Sequence, residues 1–260
     1  MDEVTDMDEV TNLDGVTDDA LLAGRIRLLQ PSSGHRAGTD AVLLSAAANA
    51  RPGDTVVDVG AGTGAVGLMV GAREPKARLI FVERELDLAE LCRRNVERAG
   101  IDGKVVTADM FYRISRRAVG LVTGVADIVL TNPPYLEGHK ARLSPDKRRA
   151  LAHVMPAGGL EAWLLAGIGL LKPKGRLVVV HRADRAAACL AAMEQGLGGV
   201  QLRGVHPTHD RPASRILVSG IRGSKAPLEI LPPLVVHGPD GRFTPEVEAI
   251  HRGEAALGWT

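Results

Sequence analysis

Aromatic side chains are scarce in this chain. Three Phe, two Tyr and two Trp among 260 residues leave few platforms on which a flat ligand could stack. Cysteine is scarcer still. Cys92 and Cys189 lie far apart and belong to no CxxC, which excludes a disulfide framework and a thiolate zinc site. Two inert thiols in a reduced, cytoplasmic protein are expected. No apolar run reaches the ~18 residues that a membrane-spanning helix needs. The N-terminus has neither a basic n-region nor an apolar h-region, so no secretory signal is read there. His206 and His209 are spaced i, i+3 across a proline-bearing loop with no third ligand nearby, and no metal is expected. Neither a Ser-His-Asp arrangement nor a metal-dependent one stands out.

What is present is an ordinary globular composition, 45% hydrophobic and 24% charged, with the charge unevenly placed. Eight of the 31 acids fall in residues 1–19, which hold no Lys or Arg. The overall charge of +1 therefore hides a body at +9, compatible with a polyanionic partner. Residues 1–18 read MDEVTD-MDEVTN-LDGVTD, an acidic six-residue repeat without an apolar face, and are expected to be a disordered tail. Residues 19–260 then form one domain.

Strand and helix patterns alternate through that domain. Strands are predicted at Arg25–Gln30, Thr55–Val59, Arg78–Glu83, Lys104–Thr107, Asp127–Thr131 and Arg176–His181, with helices near 40–50, 65–73, 85–99, 157–171 and 183–195. A strand pair at Val200–Val205 and Arg215–Ser219 and a hairpin-like piece at Leu234–Phe243 close the chain. Alternating β and α units imply an α/β fold, a mostly parallel sheet with helices on both faces.

Four motifs carry chemistry. Val56-Val57-Asp58-Val59-Gly60-Ala61-Gly62-Thr63-Gly64 is a buried strand, an acid near its end, and glycines opening a helix. In an open α/β sheet this marks the ligand crevice at the carboxyl ends of the strands. Gly62–Gly67 also spells GxGxxG, so the loop alone leaves a nicotinamide dinucleotide open beside S-adenosylmethionine. Glu83 ends the next strand, 23 residues after Gly60, where a carboxylate can accept hydrogen bonds from ribose hydroxyls. Asp109 follows the third strand and can accept from an adenine amino group.

The fourth motif selects a reaction. Asp127–Thr131 runs straight into Asn132-Pro133-Pro134-Tyr135. Two prolines restrict the backbone and remove two N–H donors. The Asn132 side-chain oxygen and the Pro133 carbonyl can each take one hydrogen of a planar NH2 group, and Tyr135 can stack on the attached ring or amide. The lone pair of such a group is delocalised. Two acceptors favour pyramidalisation and raise the lone pair towards a sulfonium methyl held in line at roughly 3–3.5 Å. Oriented carbonyl dipoles stabilise the charge that builds on nitrogen. Asn132, Pro133 and Tyr135 are thus the candidate catalytic residues.

Together these residues resemble the Rossmann-like class I methyltransferases of the NPPY, amino-methylating branch. Gln30 to Leu44, containing Gly38-Thr39-Asp40, and Asp240 to Glu246 further resemble the bacterial tRNA adenine-N6 methyltransferase family. The likeness covers about Asp18 to Gly253. It departs at His35, where an aromatic residue would be expected. The resemblance implies a seven-stranded sheet of order 3-2-1-4-5-7-6 with the last pair antiparallel. It implies a segment, about 19–50, closing over the methionine part of S-adenosylmethionine through Gly38, Thr39 and Asp40. Asp58, Gly60, Gly62, Gly64, Glu83, Asp109 and Asn132 complete the cofactor set, with S-adenosylhomocysteine as product. Substrate contacts are expected from Pro134 and Tyr135, and from Lys140, Arg142 and Arg148 in the basic loop Leu136–Met155. Arg113, Arg116 and Arg117 form a second basic cluster. The implied substrate is adenine N6 in tRNA or another RNA. Protein glutamine N5 and RNA guanine N2 remain alternatives, and a nicotinamide oxidoreductase leaves NPPY unexplained.

Overall fold

The computed structural model describes residues 15–34, 36–134, 136–137, 154–155 and 159–259. A short antiparallel pair, β1 (Val16–Leu21) and β2 (Ile26–Pro31), leads into α1 (Thr39–Ala47). Then follow β3 (Thr55–Val59), α2 (Ala65–Arg73), β4 (Arg78–Glu83), α3 (Leu86–Ala99), β5 (Gly103–Thr107), α4 (Arg113–Ala118) and β6 (Ala126–Thr131). Two-residue strands β7 (Leu136–Glu137) and β8 (Val154–Met155) pair with each other. The chain ends through α5 (Gly159–Leu170), β9 (Leu171–Arg182), α6 (Ala186–Met193), β10 (Leu197–His206), β11 (Arg215–Arg222), β12 (Glu229–Val235) and α7 (Pro245–Arg252).

The central sheet has the order β12-β10-β11-β9-β6-β3-β4-β5. From β5 across to β10 this is the expected 3-2-1-4-5-7-6. The seven-strand count is corrected to eight by β12, which pairs parallel with β10 from Gln201↔Glu229 to His206↔Val235. β12 also corrects the hairpin-like reading of Leu234–Phe243. Leu234 and Val235 belong to the parallel edge strand, and one antiparallel bridge, His237↔Phe243, spans the Pro239-Asp240-Gly241 turn. Pro232 and Pro233 fall where the register shifts between Arg203 and Val205, and a bulge in an edge strand tolerates the missing N–H groups. Within the sheet β11 runs antiparallel to both of its neighbours, β9 and β10.

The pleat divides the core in two. Val56, Phe81, Ile128, Leu130, Val178 and Val180 face α1, α2, α3 and α7. Val57, Val59, Val82, Val129, Leu177 and Val179 face α5 and α6. Such near-continuous apolar strands follow from burial on both faces. Gly67 lets α2 descend onto the sheet: a Cβ there would stand 2.3 Å from Cε1 of the fully buried Phe81.

Val16, Thr17 and Asp18, placed with the tail by their acidity, form the first half of β1 and pair with Pro31, Gln30 and Leu29. Charge is absorbed there by partners. Asp18 bonds Arg98 and pairs with Arg27. Asp19 accepts from Thr17, Gln30 and Arg36. α7 was likewise not foreseen, although its signals are in the chain. Thr244 caps it by accepting from Val247 N–H, Pro245 occupies the first turn, and Gly253 ends it in the left-handed region. Arg73 of α2 then donates to the Ile250 and Ala255 carbonyls. No helix among the described residues is long and apolar enough to cross a membrane.

Candidate active site

The candidate residues gather at the carboxyl ends of β3, β4, β5 and β6. Val59 pairs with Val82 on one side and Thr131 on the other, so Gly60 and Asn132 leave adjacent strands at the same height. Glu83 pairs with Thr107, and Asp109 follows two residues on.

The glycine loop is tied down from below. Gly60 and Ala61 donate their N–H groups to the Val82 carbonyl at 2.9 and 3.0 Å. Gly60 holds φ +75°, a left-handed conformation that glycine adopts without strain, and a Cβ there would meet the Trp163 ring at 3.1 Å. Gly64 caps α2 beside the Cys92 sulfur. Gly62 differs, since nothing lies within 4 Å of where its Cβ would be. Its backbone therefore borders open space.

Glu83 is the hinge of this arrangement. Its Oε2 accepts from Gly62 N–H at 2.8 Å, and its Oε1 from the N–H groups of Arg84 and Glu85 at 2.7 and 2.9 Å. Three of about four lone-pair sites are filled, and one remains for a ligand hydroxyl. Asp109 is partly open. Its Oδ1 accepts from Phe111 N–H, and its Oδ2 lies 3.7 Å from the Arg84 guanidinium. A nucleoside fits this set, with a diol at Glu83, an amino group at Asp109 and a ligand backbone against Gly62.

Asn132 is half-buried, Pro133 buried and Pro134 half-buried. Tyr135, Lys140, Arg142 and Arg148 lie outside the described residues. The strand leading to Asn132 is braced by Thr131, whose hydroxyl donates to the Val59 carbonyl at 2.9 Å. Trp163 of α5 donates its indole N–H to that hydroxyl at 2.9 Å and meets Phe111 edge-on at 5.7 Å. One side chain thus touches the Gly60 loop, the Asp109 loop and the Asn132 strand. Sequence reasoning placed Trp163 in a helix without a role. Its signal was that it is one of only two tryptophans in the chain.

Gly38, Thr39 and Asp40 open α1, with Gly38 as the cap. Asp40 pairs with Arg215 at 2.9 Å, at the start of β11 where Arg215 faces Arg182 at the end of β9. Arg36 and Gln30 bind Asp19, and Gln30 Oε1 also accepts from Ala37 N–H, so β1 and β2 hold this segment in place.

Residues 36–204 match the family described as "Methyltransferase small domain". The chain belongs to this family. It is a methyltransferase, dependent on S-adenosylmethionine. A protein from Porphyromonas gingivalis named tRNA1(Val) (adenine(37)-N6)-methyltransferase is 28% identical over 230 residues, 85% of this chain and 89% of the relative. A release factor glutamine methyltransferase from Chlorobaculum tepidum is 30% identical over 168 residues, 62% of this chain and 56% of that one. Among solved structures, one described as a predicted O-methyltransferase from Agrobacterium tumefaciens superposes with a TM-score of 0.71. It is 30% identical and covers 84% of this chain and 98% of its own. TYW2 from M. jannaschii, solved in complex with AdoMet, shares the fold at 14% identity, covering 80% of this chain and 85% of that one, with a TM-score of 0.55.

In this methyltransferase Asp58 has a different place from the one its motif suggested. It is 3% exposed and turns towards α2, where its Oδ2 accepts from Gly67 N–H at 2.9 Å. Gly67 is the third residue of that helix, so the carboxyl caps a positive helix end from the neighbouring strand. Burial, reinforced by Glu83, pushes Asp58 up to about 7 against the Gly67 hydrogen bond. In the unfolded chain the same carboxyl ionises near 3.8. A raised acid costs the fold stability as pH climbs from about 4 to about 7, because only the unfolded state releases the proton in that window. Asp58→Asn removes this cost. Its stability relative to the parent protein is expected to rise by up to about 4 kcal/mol between pH 4 and 7 in denaturant unfolding. His181, which burial lowers to about 4, titrates in the same window but cancels in the comparison. A pH-independent difference would contradict the assignment. Burial also pushes the Cys92 and Cys189 thiols up, Cys189 to about 12, which fits inert cysteines.

Proposed function

We propose that this chain transfers a methyl group to the N6 amino nitrogen of an adenine in tRNA. The observation that carries the reading is the register Val59↔Thr131, which sets Asn132-Pro133 beside the glycine loop. S-adenosylmethionine supplies, when bound, a methyl group on a sulfonium that an amine lone pair can displace. The chain's own residues do the rest. Asn132 Oδ1 and the Pro133 carbonyl accept the two hydrogens of the amino group. Pro133 and Pro134 keep that corner free of competing donors. Thr131 and Trp163 brace it against the glycine loop. Glu83 and Asp109 hold the nucleoside end of the cofactor, and Gly38, Thr39 and Asp40 close over its methionine end. No strong general base is required, since the proton leaves to water after transfer. The product is S-adenosylhomocysteine.

The relatives named for tRNA adenine-N6 methylation support adenine, since the Porphyromonas gingivalis protein is matched over most of its length. The glutamine methyltransferase likeness covers only 56% of that protein. With Asp18 and Asp19 counted in β1, the body from residue 15 onward carries +7, which suits an RNA substrate. The test is transfer of labelled methyl to total RNA and total protein from a strain lacking the gene, followed by nucleoside analysis. Label is expected in N6-methyladenosine of tRNA. Label confined to glutamine or to guanine N2 would overturn the reading.

A further inference from the structure

A second basic surface lies outside the crevice. Between α4, the turn after it and α5 runs a groove of about 280 Å³, lined by Arg113, Arg116, Arg117, Leu121, Leu165 and Gly169. Arg113 and Arg117 are exposed and form no ion pair among the described residues. Arg116 is tethered to the Met110 carbonyl, and burial, with its neighbour Arg113 adding to it, disfavours its charge. Three guanidinium groups on five residues repel one another, and a stable fold gains nothing from leaving Arg113 and Arg117 without a counter-ion. Beside them stand Tyr112, Ile114 and Val122, which are 66%, 85% and 48% exposed. In a chain with seven aromatics, placing one of two tyrosines in water next to unpaired arginines points outward, to a ligand.

We infer that the α4–α5 groove is a docking surface for the RNA substrate, with Arg113 and Arg117 on backbone phosphates and Tyr112 stacked on an unpaired base. The chemistry matches each part. Guanidinium forks bind phosphate oxygens in pairs. An exposed phenol ring bordered by arginines suits a base face. The position matches too, because α4 begins four residues after Asp109, and Phe111 touches Trp163 of the same helix that walls the groove. The groove runs from α4 along the last turns of α5, so RNA held here leaves the cofactor site free. The inference takes RNA as the substrate from the proposed function, but it concerns binding rather than chemistry.

The test measures affinity for unmodified tRNA from a strain lacking the gene, with full-length protein saturated with S-adenosylhomocysteine, across a salt series. Arg113→Ala/Arg117→Ala is expected to lose roughly tenfold or more in affinity and to flatten the slope of log K against log salt by about 1.5. Tyr112→Ala is expected to lose roughly tenfold with the slope unchanged. S-adenosylhomocysteine affinity of each variant, read by calorimetry, should match the parent, which separates lost docking from lost folding. If the double variant keeps the parent's affinity and slope, the groove is not a docking surface, whatever the methylated atom proves to be. If tRNA binding falls as expected while label enters guanine instead of adenine, the docking surface stands and the adenine reading fails.

Discussion

Asn132→Ala is expected to lower kcat by about a hundredfold or more while S-adenosylhomocysteine affinity stays within about twofold of the parent. The split follows from where the residue stands. Asn132 leaves β6 at the height of Gly60, but the bonds that hold the glycine loop come from Val82 and Glu83. Removing the Asn132 amide leaves those bonds untouched. On the proposed mechanism it removes one of the two acceptors for the substrate amino hydrogens, and it is in the transition state that such an acceptor stabilises most. A preorganised dipole in a half-buried site is worth about 3–4 kcal/mol there, far more than the same group in water. Single-turnover rates with saturating cofactor give the cleanest reading. An unchanged rate would contradict the assignment, and a lowered cofactor affinity with an intact rate would leave Asn132 only the cofactor role that the resemblance implies.

Glu83→Ala is expected to act in the opposite way, weakening S-adenosylhomocysteine by about a hundredfold or more. The side chain serves two purposes. On the proposed reading it offers a lone pair to a ribose hydroxyl, and in the structure it is the acceptor for three backbone N–H groups that hold Gly62 and the residues leading into α3. A residue 8% exposed cannot hand all three donors to water at once. Each unsatisfied donor costs about 1–3 kcal/mol, so thermal stability should fall along with affinity. Glu83→Gln keeps one acceptor oxygen and should retain part of both. Calorimetric titration of the three proteins checks the ranking, and equal affinities would show that the Glu83 carboxylate serves the loop alone.

Where one physical effect dominated locally, the sequence could be read directly. β3, α2 and β4 begin and end where their patterns do, because continuous apolar runs and bounding glycines leave no competing reading. Where the deciding effect was tertiary, it could not. β1 looked like tail because its acids count as disorder until Arg27, Arg36 and Arg98 are placed beside them. β12 was hidden by prolines that an edge strand tolerates, and α4 by three arginines that give no amphipathic period. At the site, the alignment of Gly60, Glu83, Asp109 and Asn132 followed from strand succession alone. Asp58 did not, since a strand-end acid can face the crevice or the helix, and only the pleat, with Val56 and Asp58 on one side, decides. The part played by Trp163 depends on α5 crossing beneath two loops, which no local pattern encodes.

The corner formed by Asn132 and Pro133 is best examined in a crystal of the full chain with S-adenosylhomocysteine and an adenosine-containing oligonucleotide. Asn132 Oδ1 and the Pro133 carbonyl oxygen should each lie about 3 Å from the adenine N6 nitrogen. A Pro133 carbonyl pointing away from the glycine crevice, with the Asn132 amide shut off from the base, would contradict the mechanism outright.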